Sequence, residues 1–441
     1  MENEHRVKTI TWYSFDEEDA MAVIRMLGPA KFANLEVIRG IKNRVVDVDA
    51  AKNGDLVILG REFAVDYNHY EKVVRLARSL KKPIILDLDD FLLALPENHP
   101  DRLGGYYSPA MLPLLQSIFE ADLLTVATLP LRENLLPYNP AIEVLPNYLD
   151  DSLWHCKEPQ KDVDPARPIT IGYMGGHSHT PDLMLVLPAL TEIINKYPGH
   201  IHFHFWGIEP PAELAAYSRV DWVPRPSKRY EEFAAYFQQQ EMDIAIAPLA
   251  DNLFNSCKSA IKFLEYSAIG AAGVYSRITP YTSIIDHEID GMLAATPEDW
   301  VAALSRLIES PALRLEQIRN AQAKIKQSWL LSQNLEKRLS VYDQLIANYQ
   351  PDKKVYPFFF ELEKSITRQL YEQHLRDYQE LSERTDSVKY LTQRAEDQDR
   401  RITEQEEIIA RQTGLENEVM AYVTSRSWKL TRPLRKIMKK W

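Results

Sequence analysis

Residues 242–276 read MDIAIAPLADNLFNSCKSAIKFLEYSAIGAAGVYS and contain the pattern that decides the fold class. An apolar β-type run ends at Pro248 and Leu249, a polar loop follows it, and a helical stretch then ends near Gly270. A second β-type run, AAGVYS, comes directly after that helix. Strands that alternate with helices are typical of a parallel sheet, so this stretch predicts an α/β fold.

The same alternation occurs in two series along the chain. The β-type runs of the first series are VKTITWYS, LEVIRG, GDLVILG, PIILDLDD, DLLTVAT and IEVLPN, and those of the second are ITIGYMGG, HIHFHFWG, VDWVP, MDIAIAPL and AAGVYS. The polar, proline-bearing segment KEPQKDVDPARP separates the two series. We therefore predict a first domain at residues 1–156, a linker at 157–168, and a second domain at 169–350 that ends in helices at about 298–310 and 311–349.

Residues 351–424 are rich in Glu, Gln and Arg and carry no strand pattern, which predicts a helical extension. An apolar residue recurs there every seven positions, at Leu381, Val388, Ala395, Ile402 and Ile409. The companion positions hold Leu391 and then glutamine. A two-stranded coiled coil with polar layers, and so a homo-oligomer through residues 360–420, is one interpretation. A single solvated helix is the other.

The composition excludes several classes of protein. With 441 residues, of which 45% are hydrophobic and 26% charged, the chain can bury a core and is not of a disordered type. Its two cysteines, Cys156 and Cys257, form no CxxC pair, so neither a disulfide framework nor a zinc site is expected. The net charge of −11 argues against nucleic acid as the main partner. We expect no signal peptide and no membrane-spanning segment, which predicts a cytoplasmic protein.

Three charged residues of the 242–276 stretch indicate a site for a nucleotide diphosphate. Lys258, Lys262 and Glu265 are spaced four and three apart, which predicts that they share one face of one helix. Two ammonium groups can neutralise a diphosphate, and a carboxylate can accept hydrogen bonds from a ribose diol. A solvated charged stripe is the alternative. The apolar residues around these three favour a mostly buried helix whose charges face a cleft.

A glycine pair opens the second series. Gly175 and Gly176 follow the run ITIGYM and precede a helix whose start is marked by Thr180 as the cap and Pro181 in the first turn. Such a turn presents backbone N–H groups at a helix N-terminus, which is a phosphate-binding geometry. A tight turn also needs glycine for purely structural reasons, so this pattern alone leaves both interpretations open.

The segment KSAIKFLEYSAIG, followed by a β-type run and TPY, resembles the nucleotide-sugar signature of the retaining GT-B glycosyltransferases of group 1 type. In that family, a helix with an E-x7-E motif binds the donor. Glu265 falls on the second glutamate, which binds the ribose, and Cys257 stands where the first, sugar-contacting glutamate is usual. The segments PIILDLDDFL, EADLLTVATLPLRENL, VLPNYLD and GGHSHTPDL also resemble segments of bacterial polysaccharide glycosyltransferases.

This resemblance covers about residues 10–345 and implies two Rossmann-like domains that face a cleft. It also implies that the last helix of the second domain, at Ser328–Tyr349, crosses back onto the first domain; the alternative is a helix that packs on its own domain. Lys258 and Lys262 are assigned to catalysis, and the donor-binding residues are Gly175, Gly176, His179, Asn255, Ser259 and Glu265. Catalysis in the family needs no metal and no cofactor, because the nucleotide-diphosphate sugar is the substrate.

The first domain contributes an acidic run and a histidine. Asp87, Asp89 and Asp90 end the run PIILDLDD and are expected to face an acceptor, since open α/β sheets bind ligands at the carboxyl ends of their strands. A helix cap and a metal-binding DxD motif are the alternatives, and we expect no metal. His99 follows in PENHP, where some members of the resembled family place a catalytic-site histidine against the donor sugar; a loop histidine is the alternative.

Residues 425–441, SRSWKLTRPLRKIMKKW, hold seven Lys or Arg and no acid. A helix that starts at Thr431 places Leu434, Ile437 and Trp441 opposite its basic side chains, which is typical of an interfacial membrane helix. An ordinary basic tail is the alternative. Many bacterial surface-polysaccharide glycosyltransferases end in a similar tail, so the resemblance implies peripheral attachment to the inner membrane.

The expected function is transfer of a sugar, with retention, from a nucleotide-diphosphate donor to a saccharide acceptor on a lipid carrier, as in polysaccharide, lipopolysaccharide or O-antigen synthesis. Two rivals remain. One is a GT-B-fold enzyme that is not a transferase, such as a nucleotide-sugar epimerase. The other is a non-catalytic assembly scaffold, which Cys257 and the long helical extension suggest.

Overall fold

The computed structural model describes residues 7–15, 17–158, 167–350 and 360–424. Internal contacts divide the chain into two units, residues 1–368 and residues 369–441. The first unit contains two six-stranded sheets in which neighbouring strands run parallel. Most of the predicted linker and the whole predicted basic tail lie outside the described residues.

The first domain is an α/β layer structure. Its strands are β1 (Thr9–Tyr13), β2 (Glu36–Arg39), β3 (Ile41–Lys42), β4 (Val45–Val46), β5 (Leu56–Gly60), β6 (Ile84–Leu88), β7 (Leu123–Val126) and β8 (Ile142–Val144). Its helices are α1 (Ala20–Ala22), α2 (Gly28–Phe32), α3 (Tyr67–Ser79), α4 (Pro100–Leu103), α5 (Met111–Glu120) and α6 (Leu129–Leu135), and a π-helical turn at Val23–Leu27 joins the first two. The sheet order is β2-β1-β5-β6-β7-β8, while β3 and β4 form a separate hairpin. The buried apolar runs of β5 and β6 form its centre, as expected of a parallel sheet covered by helices.

The second domain repeats this plan. Its strands are β9 (Ile169–Met174), β10 (Ile201–Trp206), β11 (Val220–Val223), β12 (Ile244–Ala247), β13 (Ala272–Ser276) and β14 (Met292–Ala294). Its helices are α7 (Thr180–Lys196), α8 (Ala212–Ala215), α9 (Tyr230–Phe237), α10 (Leu253–Ser256), α11 (Ile261–Ala268), α12 (Pro297–Glu309) and α13 (Pro311–Ser328). The order β11-β10-β9-β12-β13-β14 reverses direction between β9 and β12, the point at which doubly wound sheets bind ligands. The α/β prediction is confirmed; only the three-residue edge strand β14 has no counterpart among the predicted strands of the two sheets.

The last helix of this series, α14 (Leu335–Asn348), packs on the first domain. Its Leu339 and Tyr342 are buried in the cluster that contains Ile10, and Asp343 accepts a hydrogen bond from the Val7 amide at 2.9 Å. The chain leaves helical conformation after α13, so the predicted helical stretch at 311–349 consists of two helices, and the predicted last helix at Ser328–Tyr349 begins later, at Leu335. Between the two helices, Leu330 forms a β-bridge with Leu149 of the first domain. The Leu149 amide donates to the Trp329 carbonyl oxygen, and the Leu331 amide donates to the Leu149 carbonyl oxygen, so these groups do not continue a helix.

The long helix α15 spans Phe360–Thr424. Its first turns belong to the first unit, where Phe360 is buried with its ring 6.3 Å from that of Phe119. From Gln369 onward its described side chains belong to the second unit and are almost all exposed. In the described part of the chain, no helix combines the length and the apolarity needed to cross a membrane.

Candidate active site

A cavity of about 330 Å³ lies between the two sheets at the carboxyl ends of their strands. Asp89 and Asp90 enter it from the loop after β6, and Gly175 and Gly207 enter it from the turns after β9 and β10. Its charged and polar lining consists of Asp89, Asp90, Asn147, His179, Arg225, Tyr230, Lys258, Ser259, Lys262 and Glu265. Both domains therefore contribute to one site, with most of the lining from the second.

The segment between α10 and α11 carries the predicted donor residues, but it is not one helix. α10 ends at Ser256 and α11 begins at Ile261, so Lys258 lies in a non-helical connection and the predicted helical face shared by all three charges is wrong. The connection is held by the first domain: Thr128 Oγ1 donates to the Cys257 carbonyl oxygen at 2.7 Å. In addition, Asn147 Nδ2 donates to Ser259 Oγ at 3.0 Å. The Cys257 carbonyl oxygen, which a continuous helix would satisfy locally, and the Ser259 hydroxyl thus form hydrogen bonds with the first domain.

Cys257 is fully buried and does not line the cavity. Burial raises the pKa of its thiol to about 11, so the group stays protonated at neutral pH. At the position where the resembled family has its sugar-contacting glutamate, this chain therefore has no charged group facing the cavity.

Lys262 is the cation of the second-domain face. It lies on α11, its Nζ is 4.7 Å from the centroid of the Tyr173 ring, and among the described residues no atom accepts a hydrogen bond from it. Burial, with the nearby positive charge of Lys258, lowers the pKa of Lys262 to about 8. A buried ammonium without a hydrogen-bond acceptor is costly, and an anionic ligand in the cavity would supply one.

Glu265 follows one turn later on α11 and lines the same cavity. Its Oε1 accepts a hydrogen bond from the Tyr230 hydroxyl at 2.6 Å, and Trp154 Nε1 donates to that hydroxyl at 3.1 Å. Burial raises the pKa of Glu265 to about 7. The carboxyl group is therefore positioned by a fixed partner, and burial makes it a weaker acid than a glutamate in water.

Gly175 and Gly176, in the turn after β9, both line the cavity. The Gly175 amide donates to the Trp206 carbonyl oxygen at 3.1 Å, so this N–H group is already satisfied. Gly176 borders open space, with no atom within 4 Å of where a Cβ would stand. Gly207 has φ +82°, and a Cβ there would lie 2.7 Å from the Gly175 carbonyl oxygen, which makes glycine necessary at this second, unpredicted position.

His179 and Asp182 form a pair beside the glycine turn. His179 Nδ1 is 2.8 Å from Asp182 Oδ2, and burial, with the charge of Lys262, lowers the pKa of His179 to about 4. Asp182 Oδ1 accepts hydrogen bonds from the Ala250 amide at 2.7 Å and from Asn255 Nδ2 at 3.0 Å. Asn255 is thus buried behind the cavity and positions Asp182; it is not part of the lining. α7 begins at Thr180 itself, so the predicted Thr180 cap is wrong.

The first-domain face of the site is acidic, but each carboxylate has a basic partner. Asp87 forms a two-bond ion pair with Arg25, with nitrogen to oxygen distances of 2.9 and 2.8 Å. Burial opposes ionisation of Asp87, but Arg25 outweighs it and lowers the pKa. The predicted acceptor role does not fit Asp87, because this ion pair is buried and outside the cavity lining.

Asp89 and Asp90 do line the cavity. Arg61 donates to Asp89 Oδ1 at 2.9 Å and to Asp90 Oδ2 at 3.2 Å, and Lys258 Nζ lies 3.4 Å from Asp90 Oδ1. Burial raises the pKa of Asp89 to about 6, with the charge of Asp90 adding to the effect. For Asp90, burial is outweighed by Lys258 and Arg61, which lower the pKa. The Lys258 contact joins the two domains across the cavity.

A buried chain of hydrogen bonds continues from Asp87 to the donor side. Thr125 donates to Asp87, Arg25 donates to Asn147 Oδ1 at 2.9 Å, and Asn147 Nδ2 donates to Ser259 Oγ.

The sequence analysis did not identify three residues of this site, Arg25, Arg61 and Tyr230. Asn147 lies in the quoted segment VLPNYLD, so a signal for it was present.

His99 lies next to the cavity without lining it. Its Nδ1 accepts a hydrogen bond from the Asp101 amide at 3.2 Å, which caps α4. Its ring meets that of Phe254 at 5.3 Å in an edge-on arrangement, and burial lowers its pKa. In this structure His99 is therefore a helix cap that contacts the second domain.

The two facing domains with a cavity at their strand ends define a GT-B fold, and solved structures agree. Sucrose-phosphate synthase from Thermosynechococcus elongatus has a TM-score of 0.55 at 14% identity, over 77% of this chain and 99% of that one. HepE from Anabaena, in complex with UDP, has a TM-score of 0.53 at 12% identity, over 77% and 100%. A glycosyltransferase from Rickettsia africae has a TM-score of 0.52 at 12% identity, over 78% and 100%. At these identities the likeness shows the fold.

The second domain has a match of its own. Residues 168–310 match the family model described as Glycosyl transferases group 1. No curated protein matches the sequence. The chain therefore has a GT-B fold, and residues 168–310 of its second domain are similar to the group 1 glycosyltransferases.

Proposed function

We propose that this protein transfers a sugar from a nucleotide-diphosphate donor to a saccharide hydroxyl, with retention and without a metal ion or cofactor. The observation that carries the proposal is Lys262, whose buried ammonium lines a cavity shared by two domains and finds no hydrogen-bond acceptor in the part of the chain that the structure describes. A diphosphate in that cavity would bring the oxygens that this group lacks.

The residues around Lys262 support a specific position for the donor in this proposal. The diphosphate would lie between Lys262 and Lys258, next to Gly176, and the ribose diol would donate to Glu265. HepE has been crystallised with UDP and with UDP-glucose, so uridine nucleotides are the first donors to test. Cys257 leaves the sugar without the usual carboxylate partner, and the donor sugar is therefore held through its other contacts.

The chemistry follows from this placement. The bond between the sugar carbon and the diphosphate oxygen breaks, and negative charge develops on the leaving diphosphate, where Lys262 and Lys258 stabilise it. The acceptor oxygen forms its new bond on the same face of the sugar, and its proton passes to an oxygen of the leaving diphosphate. No protein nucleophile is needed, so catalysis rests on positioning and electrostatics.

The acceptor would approach from the first-domain face, where Asp89 and Asp90 line the cavity. Both carboxylates are oriented by Arg61 and can accept hydrogen bonds from saccharide hydroxyls through their remaining lone pairs. We propose a lipid-linked saccharide of surface polysaccharide or lipopolysaccharide synthesis, such as O-antigen, as the acceptor class. Attachment of residues 425–441 to the inner membrane surface would bring the enzyme to that acceptor.

The deciding experiment is isothermal titration calorimetry with UDP, UMP and UDP-glucose on the full chain and on Lys262→Met. Binding of UDP at least about tenfold tighter than UMP, with the difference lost in Lys262→Met, supports the diphosphate site. No binding of any nucleotide diphosphate would favour the scaffold. If donor is consumed at the same rate with and without a saccharide acceptor, the epimerase alternative is favoured and transfer is excluded.

We also propose that the chain self-associates through residues 360–420. The observation is that α15 exposes large apolar side chains along much of its length. Sedimentation velocity on the full chain measures this directly, and a monomer at about 10 μM would contradict it.

A further inference from the structure

Helix α15 carries a row of exposed apolar side chains, which we call the apolar seam. Val388, Leu391, Ile402 and Ile409 are 61%, 59%, 52% and 60% exposed, although each would be expected in a protein interior. Val388, Ile402 and Ile409, together with Ala395 between them, recur at a strict seven-residue spacing. A seven-residue apolar repeat on one helix is completed by a partner helix with the same repeat.

We propose that residues 381–412 form a parallel, in-register, two-stranded coiled coil with the same helix of a second copy of this chain. In heptad letters, Leu381, Val388, Ala395, Ile402 and Ile409 occupy a positions. Arg384 and Leu391 occupy the first two d positions. In the layers around Val388 and Leu391, a β-branched residue at a with leucine at d favours two strands over three or four. This inference fixes the number, direction and register of the helices, and it does not depend on the proposed reaction.

The flanking charges decide the direction of the two helices. The g positions before Ala395 and Ile402 are Arg394 and Arg401, and the e positions that follow are Asp399 and Glu406. In a parallel pair, each g residue faces the e residue five positions later on the other helix. Arg394 then faces Asp399 of the partner subunit, and Arg401 faces Glu406 of the partner subunit. An antiparallel pair would place g beside g and e beside e, which brings like charges together.

The glutamines decide the register. Gln398, Gln405 and Gln412 occupy three consecutive d positions. In a parallel, in-register pair, each amide meets its own copy, so donor and acceptor are both present in each layer. A slip by one heptad would put Leu391 against Gln398 and leave a buried amide unpaired at the end of the run. Polar layers of this kind cost stability and specify register.

Cysteine cross-linking of the full chain tests direction and register. In a Cys156→Ser background, Gln398→Cys at the seam is compared with Gln393→Cys, which lies on the opposite side of the helix at an f position. We expect mild oxidation to give an interchain disulfide in most of the Gln398→Cys protein and in almost none of the Gln393→Cys protein. Equal cross-linking of both, or none in Gln398→Cys, overturns the proposed register.

Charge reversal tests the pairing with an independent readout. The variants are Arg394→Glu with Arg401→Glu, and Asp399→Arg with Glu406→Arg, both on the exposed helix surface. Each alone should self-associate roughly tenfold more weakly in sedimentation velocity, and a mixture of the two should recover a species of twice the chain mass. An antiparallel pair would instead make the first variant prefer the unaltered chain. That result, a trimer, or a monomeric unaltered chain would overturn the proposal.

Discussion

The two faces of the cavity use buried charge in opposite ways. On the first-domain face, Asp87 is bound by Arg25, and Asp89 is bound by Arg61. On the second-domain face, the Lys262 side chain is only half-buried, but its Nζ is shielded from solvent and has no hydrogen-bond acceptor among the described residues. Paired charges hold an architecture together, whereas an unpaired one is a cost that a ligand can remove. This difference is the basis for the proposal that the anionic donor binds on the second-domain face.

The strongest test of this comparison is Arg25→Met. It would leave the Asp87 carboxylate buried without its partner and remove the donor to Asn147, so we expect the free energy of unfolding to fall by about 3–5 kcal/mol. Chemical denaturation followed by circular dichroism measures this change. The matched control is Arg75→Met on the exposed side of α3, which should change it by less than about 0.5 kcal/mol. A loss below about 1 kcal/mol for Arg25→Met would contradict the structural role.

Lys262→Met should have the opposite signature. Removing an unpaired buried ammonium leaves the free energy of unfolding unchanged or raises it by up to about 2 kcal/mol. Loss of its contact to the leaving diphosphate should lower kcat/KM by about 100-fold, or about 2.7 kcal/mol. Steady-state kinetics and denaturation on the same preparation provide both numbers, with the exposed Lys72→Met as the control. A variant that loses activity because it unfolds would refute the assignment.

The pH dependence of donor affinity should show whether the second-domain residues Lys262 and Glu265 bind the donor. Burial puts the pKa of Lys262 at about 8 and that of Glu265 at about 7. Lys262 is charged below about pH 8 and Glu265 is ionised above about pH 7, so affinity should be greatest between these values. It should fall by up to about tenfold per pH unit on either side. UDP-glucose is the suitable probe, because its phosphates are diesters and keep their charge in this range.

A single variant separates the acid-side decrease in donor affinity from the alkaline-side decrease. Glu265→Gln cannot ionise and should therefore lose the acid-side decrease in affinity while it keeps the alkaline one. Calorimetry at half-unit pH steps measures both limbs. An acid limb that persists in Glu265→Gln would show that another group titrates there.

The smallest effect is expected for the contact that joins the two faces. Asp90→Asn weakens the 3.4 Å contact with Lys258 and the 3.2 Å ion pair with Arg61 but keeps the shape of the side chain. Because the pair is partly solvated, the free energy of unfolding should change by less than about 1 kcal/mol. KM for the acceptor should rise about tenfold if Asp90 binds a saccharide hydroxyl. A double-mutant cycle with Lys258→Met gives the coupling, and an unchanged acceptor KM would remove Asp90 from the acceptor site.

Much of the fold could be predicted because its signals are local. The β-type runs marked nearly every strand of both sheets. The failures have specific causes. The helix break at Cys257–Ala260 is held by Thr128 and Asn147, which are far away in the sequence. No local pattern around Cys257 contains that information.

The sequence by itself determined the α/β class, the two domains, and the spacing that places Lys262 and Glu265 one turn apart on a helix. Only the tertiary structure decided which charges are paired. Arg25 and Asp87 are 62 positions apart, and Asn147 and Ser259 are 112 apart. The physical reason is that pairing and pKa depend on burial and on neighbours in space. Spacing along one helix could indicate the cation Lys262, but only the tertiary structure, which packs its Nζ over the Tyr173 ring, left that atom buried and without a hydrogen-bond acceptor among the described residues.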